Sequence, residues 1–326
     1  MPDLKTTWLG LELQSPVIVA SSGLSKSADD VKACADAGAG AVVLKSLFEE
    51  VLAQQDYEIK DSTGYHTEAY DYLRSELELQ YGPREYCRTI EEAKKRVDIP
   101  VIASVNCVSS ERWPSYAKQL QNSGADAIEL NVYSMPADIE TTSQQVEERY
   151  IEIVRGVREN THLPIALKIA PYFASLANMA HQLCEAGAGG LVLFNRFTDP
   201  DIDVKKLKPT TTFQFTTAND YHNSLRWVAL LFGKISCDLA ATTGIHDAEG
   251  VAKMILAGAS AVQVASVLYK KGVQTLSTLN EQFASWMKTH DFESLDDFKG
   301  KVSFKRTENP DLYLRHQFMQ KIRGVE

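Results

Sequence analysis

The stretch CEAGAGGLVLFN, residues 184–195, has the pattern of a helix end, a glycine and a short apolar strand that finishes on a polar residue. Gly187 stands where a helix C-cap needs left-handed backbone, and the apolar run behind it is too short for a helix. A continuous apolar run of this length is typical of a parallel strand buried on both faces. The pattern recurs in ADAGAGAVVLKS (35–46), NSGADAIELN (122–131) and LAGASAVQVAS (256–266).

Four further apolar segments alternate with these four. They are PVIVASS (16–22), PVIASVN (100–106), PIALKIA (164–170) and KISCDLAATTG (234–244). Eight strands separated by helical stretches match the α/β class, and specifically a (β/α)8 TIM barrel. A doubly wound sheet would carry a G-x-G-x-x-G turn after its first strand, and none follows here. The sequence therefore predicts the barrel.

The spacing of the strands also predicts the domain organisation. Residues 1–303 form one barrel domain, and residues 304–326 form a charged C-terminal tail. Two connections, 47–99 and 196–233, are longer than a usual crossover. Each leaves the C-terminal end of a strand, so we expect both to lie over the mouth of the barrel, where sites form in this fold.

Composition excludes several classes of function. The chain has 326 residues, 44% of them hydrophobic and 24% charged, and its net charge of −9 argues against a nucleic-acid partner. No apolar run approaches the roughly 18 residues of a membrane span, and the N-terminus does not have the pattern of a signal peptide. Five scattered cysteines without a C-x-x-C pair argue against a zinc or iron–sulfur site and suit a reducing cytoplasm. We therefore expect a cytoplasmic protein without metal or membrane.

Polar residues at the strand ends are candidates for the chemistry. Lys45 and Lys168 are expensive to bury unless paired, so each is either a structural ion-pair partner or a cation that faces an anionic, electron-rich ligand. Asn106, Asn131 and Asn195 add hydrogen-bond donors and acceptors that suit the edge of a heterocycle. Glu129 lies one position inside its strand, and we expect it to point toward the helix layer.

The turns after the seventh and eighth strands form a candidate phosphate site. Thr243 and Gly244 follow one strand, Ala265 and Ser266 the other, and helices beginning near Asp247 and Ser266 would direct their positive ends at it. An ordinary loop capped by Thr and Asp is the alternative. A phosphate site beside a polar mouth suggests flavin mononucleotide (FMN).

Several segments resemble the dihydroorotate dehydrogenases, which are FMN-dependent (β/α)8 barrels. They include SPVIVASSG (15–23), AVVLKS (41–46), IELN (128–131), LKIAPYF (167–173), LVLFN (191–195) and TTGIHDAEGVAKMILAGASAVQVASVLYKKG (242–272). The resemblance implies that one set of residues lines the flavin: Ala20, Ser21, Lys45, Ser46, Asn106, Asn131 and Lys168. It implies that Thr243, Gly244, Ala265 and Ser266 hold the phosphate, and that Asn131 and Asn195 reach the substrate.

The resemblance also implies a catalytic base on the loop after the fourth strand. Ser134 falls on that position, with Tyr133 and Cys107 as alternatives. The family's substrate-holding pattern Asn-x-x-Gly-(Leu or Phe)-x-Asn is absent from residues 47–99, and Arg196 follows Asn195 where a small hydroxyl residue is expected. These departures indicate a divergent member in which Arg196 enters the substrate site, and the segment FESLDDFKGK (292–301) resembles the ending of the class 1 members.

The leading hypothesis is an FMN-dependent oxidoreductase that acts on CH–CH groups, as in pyrimidine biosynthesis, with Ser134, Lys45 and Lys168 as catalytic residues. It would transfer hydride between a dihydropyrimidine-like substrate and the flavin, with a soluble electron acceptor or donor still to be identified. One alternative is a Schiff-base aldolase or lyase that uses Lys168 or Lys45 as its amine. Another is a non-catalytic flavin-binding barrel subunit. A homodimer is the candidate assembly.

Overall fold

A computed structural model describes residues 2–48, 83–106, 113–132, 134–196, 199–212 and 214–314. The strands of this part of the chain are β1 (Thr6–Trp8), β2 (Leu11–Leu13), β3 (Val17–Val19), β4 (Ala41–Val43), β5 (Leu47–Phe48), β6 (Val101–Asn106), β7 (Ala127–Asn131), β8 (Ile165–Ile169), β9 (Gly190–Leu193), β10 (Asp199–Asp203), β11 (Lys208–Thr212), β12 (Asp238–Thr242) and β13 (Ala261–Val264). The helices are α1 (Ala28–Asp36), α2 (Pro83–Lys94), α3 (Trp113–Asn122), α4 (Ser143–Asn160), α5 (Leu176–Glu185), α6 (His222–Leu231), α7 (Ala248–Ala257), α8 (Ser266–Lys271) and α9 (Thr275–Thr289).

Eight of these strands form a closed parallel barrel. Their order is β4-β3-β13-β12-β9-β8-β7-β6, and pairing of β4 with β6 closes the ring. The predicted (β/α)8 barrel is therefore confirmed. The seventh strand is shorter than its apolar segment, because β12 begins only at Asp238, where its ladder with Gly190 of β9 starts.

The lower half of the barrel interior is filled by an apolar cluster. Alternate residues of the strands point inward, among them Ile18, Ala41, Ile102, Ala166 and Val192. The antiparallel β1–β2 hairpin covers this end, and its Trp8 and Leu13 are fully buried against the inward-facing residues. The Leu9 amide donates to the Asp238 carboxylate at 2.8 Å and so ties the hairpin to β12. The closed lower end leaves the opposite end for a site.

The structure describes less of the first long connection than of the second. Of residues 47–99, the described part is β5 and the stretch from α2 onward. Of residues 196–233, it includes the exposed β10–β11 hairpin and helix α6. The predicted tail is described to residue 314, and its first part contacts the barrel, since the Phe304 amide donates to the Ala229 carbonyl at 3.0 Å. Among the described helices, none is both long and apolar enough to cross a lipid bilayer.

Two of the scattered cysteines lie together. Cys184, in the last turn of α5, and Cys237, just before β12, form a disulfide with Cα atoms 5.5 Å apart. Their separation of 53 residues concealed the pair in the sequence, because closure of the barrel brings the two segments together. Cys34 is a buried free cysteine, and burial raises the pKa of its thiol to about 11.

Gly190 provides a test of the plug at the closed end. A Cβ atom at this position would lie 2.6 Å from the Trp8 ring and 2.7 Å from Leu9. We therefore expect Gly190→Ala to lower the free energy of unfolding by about 1–3 kcal/mol through overpacking. Urea denaturation measures this. The control is Gly189→Ala, whose added Cβ would meet nothing nearer than 3.4 Å; equal losses in both variants would contradict the tight fit.

Candidate functional site

A cavity of about 490 Å³ opens at the C-terminal end of the barrel strands. Nine of the residues singled out from the sequence line it: Ala20, Ser21, Lys168, Asn195, Arg196, Thr243, Gly244, Ala265 and Ser266. They come from the ends of β3, β8, β9, β12 and β13. The barrel therefore brings together, at one end, polar residues that the sequence placed at the ends of separate strands.

The structure adds lining residues that the sequence analysis missed. They are Phe194, Gln214, Phe215, Thr216, Gln263, Val264 and Tyr269, whereas Ser22, Thr242 and Ile245, which also line the cavity, belong to the strand ends and turn already predicted. Gln263 carried a signal that went unused, since it is the one polar residue in the apolar strand AVQV. Residues 214–216 carried none, because a loop that folds back over a cavity leaves no periodic pattern.

Lys168 lies on the floor of the cavity within a buried polar trio. Its Nζ donates to Gln263 Oε1 at 3.1 Å, and Gln263 Nε2 donates to Glu129 Oε2. The second Glu129 oxygen, Oε1, lies 3.8 Å from Lys168 Nζ. The expectation that Glu129 points at the helix layer was therefore wrong. Side chains alternate along β7, so Glu129 shares the inward face with Ala127, and Lys168 does have a carboxylate partner.

A row of hydrogen-bonded hydroxyl groups joins the neighbouring strands β3, β4 and β6. Ser21 Oγ lies 3.0 Å from Ser46 Oγ, which lies 2.7 Å from Ser104 Oγ. The Tyr86 hydroxyl of α2 accepts from the Ser104 amide at 2.8 Å and donates to the Ser104 carbonyl at 3.0 Å. Burial raises the pKa of Tyr86 well above its usual value, so this hydroxyl stays protonated. Ser46 is thus fixed beside the cavity without lining it.

The other predicted residues lie around the mouth and are not among those that line the cavity. Lys45 is exposed, and Asn106 is half-buried at the end of β6. Asn195 Nδ2 donates to Asn131 Oδ1, so the two amides form a pair across β7 and β9. Tyr133 and Cys107 lie outside the described residues.

Ser134 is half-buried on the loop after β7. Its amide donates to the Tyr150 hydroxyl of α4 at 3.2 Å. That hydroxyl in turn donates to the Val132 carbonyl, also at 3.2 Å. Tyr150 is itself buried and packs edge-on against Phe173. Tyr150 therefore fixes the backbone on both sides of position 133 and holds Ser134 in place.

The turn after β12 has unusual backbone. Thr243 and Gly244 both have positive φ, +75° and +76°. A β-branched residue rarely adopts this conformation, so Thr243 stores strain. Within the described chain, the amides of Thr243, Gly244 and Ser266 donate to no acceptor, and such groups suit an anion.

The two helices expected to face the anion site differ at their first residues. The Asp247 side chain accepts the Gly250 amide at 2.8 Å and caps the start of α7. A carboxylate therefore lies at the positive end of α7. Helix α8, in contrast, begins at Ser266 without a side-chain cap.

Residues 214–217 form a strap across the end of the cavity that Ser266 lines. Thr216 is its anchor: its amide donates to Ser266 Oγ at 3.2 Å, its hydroxyl contacts His246 Nε2 at 2.8 Å, and its carbonyl accepts from Lys270 Nζ at 2.7 Å. Burial, followed by the charges of Lys270 and Lys271, lowers the pKa of His246. His246 is therefore neutral near pH 7 and can share a hydrogen bond with the Thr216 hydroxyl.

The strap is also held on its other side. Phe215 stacks on Tyr269 with ring centroids 5.1 Å apart. Arg196 donates through Nη1 to the Gln214 carbonyl. The predicted cation of the substrate site thus also supports the strap.

Gly244 gives a direct test of the turn. A Cβ here would lie 2.4 Å from the Tyr221 amide nitrogen, and the φ of +76° is strained for any other residue. We expect Gly244→Ala to weaken binding of inorganic phosphate to the protein, because the turn and the backbone at residues 220–221 must separate. Isothermal titration measures this. Gly250→Ala, whose Cβ would meet nothing nearer than 3.4 Å, is the control; unchanged phosphate affinity in Gly244→Ala would contradict the assignment.

Comparison with known proteins agrees with this architecture. The family model described as dihydroorotate dehydrogenase matches residues 3–287. The catalytic subunit of dihydroorotate dehydrogenase B (NAD(+)) from Methanocaldococcus jannaschii is 25% identical over 299 residues, 87% of this chain and 94% of the relative. The corresponding subunit from Thermoplasma volcanium is 26% identical over 94% of this chain and 100% of the relative.

A relative with a different name also matches. The NAD-dependent dihydropyrimidine dehydrogenase subunit PreA of Escherichia coli is 22% identical over 91% of this chain and 76% of the relative. Both names denote oxidoreductases. The family match spans most of the barrel, so the chain belongs to the dihydroorotate dehydrogenase family.

Proposed function

We propose that this protein is an FMN-dependent oxidoreductase that transfers hydride between a dihydropyrimidine-like substrate and the flavin. The observation that carries the proposal is the combination of a buried ammonium on the cavity floor with uncapped amides at one end. An anion at the amides and an electron-rich ring over the ammonium are the two parts of a flavin mononucleotide. Family membership supports the same assignment.

The dimensions and donors of the cavity fit that cofactor. A volume of about 490 Å³ lies within the usual range for small-molecule sites, about 300–1,000 Å³. The amides of Thr243, Gly244 and Ser266 would hold the phosphate. The strap closes the cavity just beyond this end, through Thr216 on Ser266 and Phe215 on Tyr269. A mononucleotide therefore fits better than a dinucleotide.

When bound, FMN would supply the hydride acceptor. The protein's own side chains would stabilise the developing negative charge and take up the proton. Lys168 has two N–H donors beyond the one given to Gln263, and a cation aimed at developing negative charge stabilises it. Ser134 would take the proton that leaves the neighbouring substrate carbon as the hydride departs. A hydroxyl needs an activating partner for this role. Tyr133 and Cys107 remain the alternatives.

The substrate side combines amides with a guanidinium. Asn131 and Asn195 keep one another in a fixed orientation and leave an N–H group and lone pairs for a heterocycle. Arg196 is exposed at the mouth and has donors besides Nη1. A guanidinium prefers a carboxylate or phosphate partner, so we propose a dihydropyrimidine-like substrate that carries an anionic group.

The Schiff-base alternative has less support. An amine that forms a Schiff base must lose its proton, whereas Lys168 is held in an ion pair with Glu129. Lys45 is exposed and is not among the cavity-lining residues. A non-catalytic flavin-binding barrel differs from the enzyme in having no turnover.

The first prediction concerns the cofactor. We expect purified protein to show flavin absorbance, with one FMN per chain released by heat and identified by chromatography. The Lys168→Met variant removes the ammonium and keeps a long unbranched side chain. It should bind FMN at least tenfold more weakly. Lys118→Met, on the surface of α3, is the control. Colourless protein that takes up no added FMN would overturn the proposal.

The second prediction concerns the proton. Ser134→Ala should lower the rate of flavin reduction by a dihydropyrimidine by 10²-fold or more, the usual range for general acid–base catalysis, and should leave FMN content unchanged. Stopped-flow reduction with dihydroorotate and with dihydrouracil measures this. Ser175→Ala, on the exposed start of α5, serves as control. A change within about threefold would assign the base elsewhere.

A further inference from the structure

The buried trio has a feature that the proposed reaction does not explain. Glu129 and Gln263 are each 1% exposed, and Lys168 is 8% exposed. Glu129 Oε1 accepts no hydrogen bond from the described residues, although it lies within 3.8 Å of the ammonium. A buried carboxylate costs several kcal/mol unless it is paired. The Glu129 carboxylate lies 3.8 Å from the Lys168 ammonium and receives its hydrogen bond from the Gln263 amide.

The orientation of the Gln263 amide is set by the charges on either side of it. An ammonium has only donors and an ionised carboxylate only acceptors. Gln263 must therefore present its oxygen to Lys168 and its NH₂ group to Glu129, as observed. Gln263 comes from β13, across the barrel from β7 and β8, so the amide links opposite walls.

Only part of the trio faces the cavity. Lys168 and Gln263 line it, whereas Glu129 lies beneath them. The ammonium therefore meets a ligand from the front with a negative charge behind it, and the carboxylate reduces the positive potential that the ligand experiences. In a low-dielectric interior this reduction is far larger than in water.

We propose that Glu129, through Gln263, is a positioning residue that holds Lys168 and sets how strongly the cavity favours a reduced, anionic flavin over the oxidised one. This inference rests on the proposed function. The carboxylate stands behind the ammonium, not in front of it, so its removal leaves a stronger positive charge under the ring.

The first variant removes the charge and keeps the shape. In Glu129→Gln we expect the reduced flavin to bind about tenfold more tightly relative to the oxidised one, which raises the two-electron potential by about 30 mV. Dye equilibration under anaerobic conditions measures the potential of bound FMN. Glu92→Gln, an exposed carboxylate on α2 that pairs with Arg88, makes the same change of net charge far from the trio and should leave the potential unchanged.

The second variant moves the charge and keeps the trio's composition. In the double variant Glu129→Gln with Gln263→Glu, the carboxylate stands at a position that lines the cavity and contacts Lys168 Nζ directly. We expect a potential below that of the wild type, opposite in direction to Glu129→Gln. A purely structural ion pair predicts lower melting temperatures and no such reversal. If Glu129→Gln does not fold, the double variant decides the question by itself.

The outcomes separate the two proposals. A protein that binds no FMN overturns the proposed function and this inference with it. Flavin-bound variants whose relative affinities for reduced and oxidised FMN stay within threefold of the wild type overturn this inference alone. A lower potential in Glu129→Gln, or a higher one in the double variant, does the same.

Discussion

A cation buried on the axis of a barrel has to be neutralised, and this requirement explains the polar layer of the structure. Lys168 could not be kept charged among Val, Ile and Ala side chains without partners. The barrel supplies them from two other strands, Glu129 from β7 and Gln263 from β13. Gln263 lies 95 residues from Lys168 and 134 residues from Glu129 in the sequence, so the layer exists only when the barrel is closed. Closure and site assembly are therefore one event.

The apolar layer below performs a different task. Trp8 and Leu13 of the β1–β2 hairpin fill the closed end, and small residues at Gly190 and Ala166 leave room for them. Buried apolar side chains fill this end, and the trio's cavity-lining members, Lys168 and Gln263, face the opposite end. The ammonium faces solvent and ligand from one side only. This directional exposure is what allows a single charge to act on whatever occupies the cavity.

The sequence predicted what depends on local pattern. Gly187 and its counterparts marked strand starts, and the polar residue that ends each strand marked the mouth, so residues such as Lys168 and Ser266 were found. The sequence did not predict which side of a strand each side chain points to. Glu129 was assigned to the helix layer because one position along a strand reverses the side, and the apolar neighbours on both faces gave no indication of which side was inward. The strap was missed because its anchors, His246 and Lys270, lie on other elements.

The strap also joins two parts of the site that the strand ends keep separate. Its Gln214 carbonyl accepts from Arg196 after β9, and its Thr216 amide donates to Ser266 Oγ at the start of α8. Only Phe215 lies between Gln214 and Thr216, so neither end of the strap can shift far without the other. The guanidinium of Arg196 is consequently positioned by the same segment that closes the anion end. This shared segment therefore gives the guanidinium of Arg196 a fixed place relative to Ser266 at the start of α8.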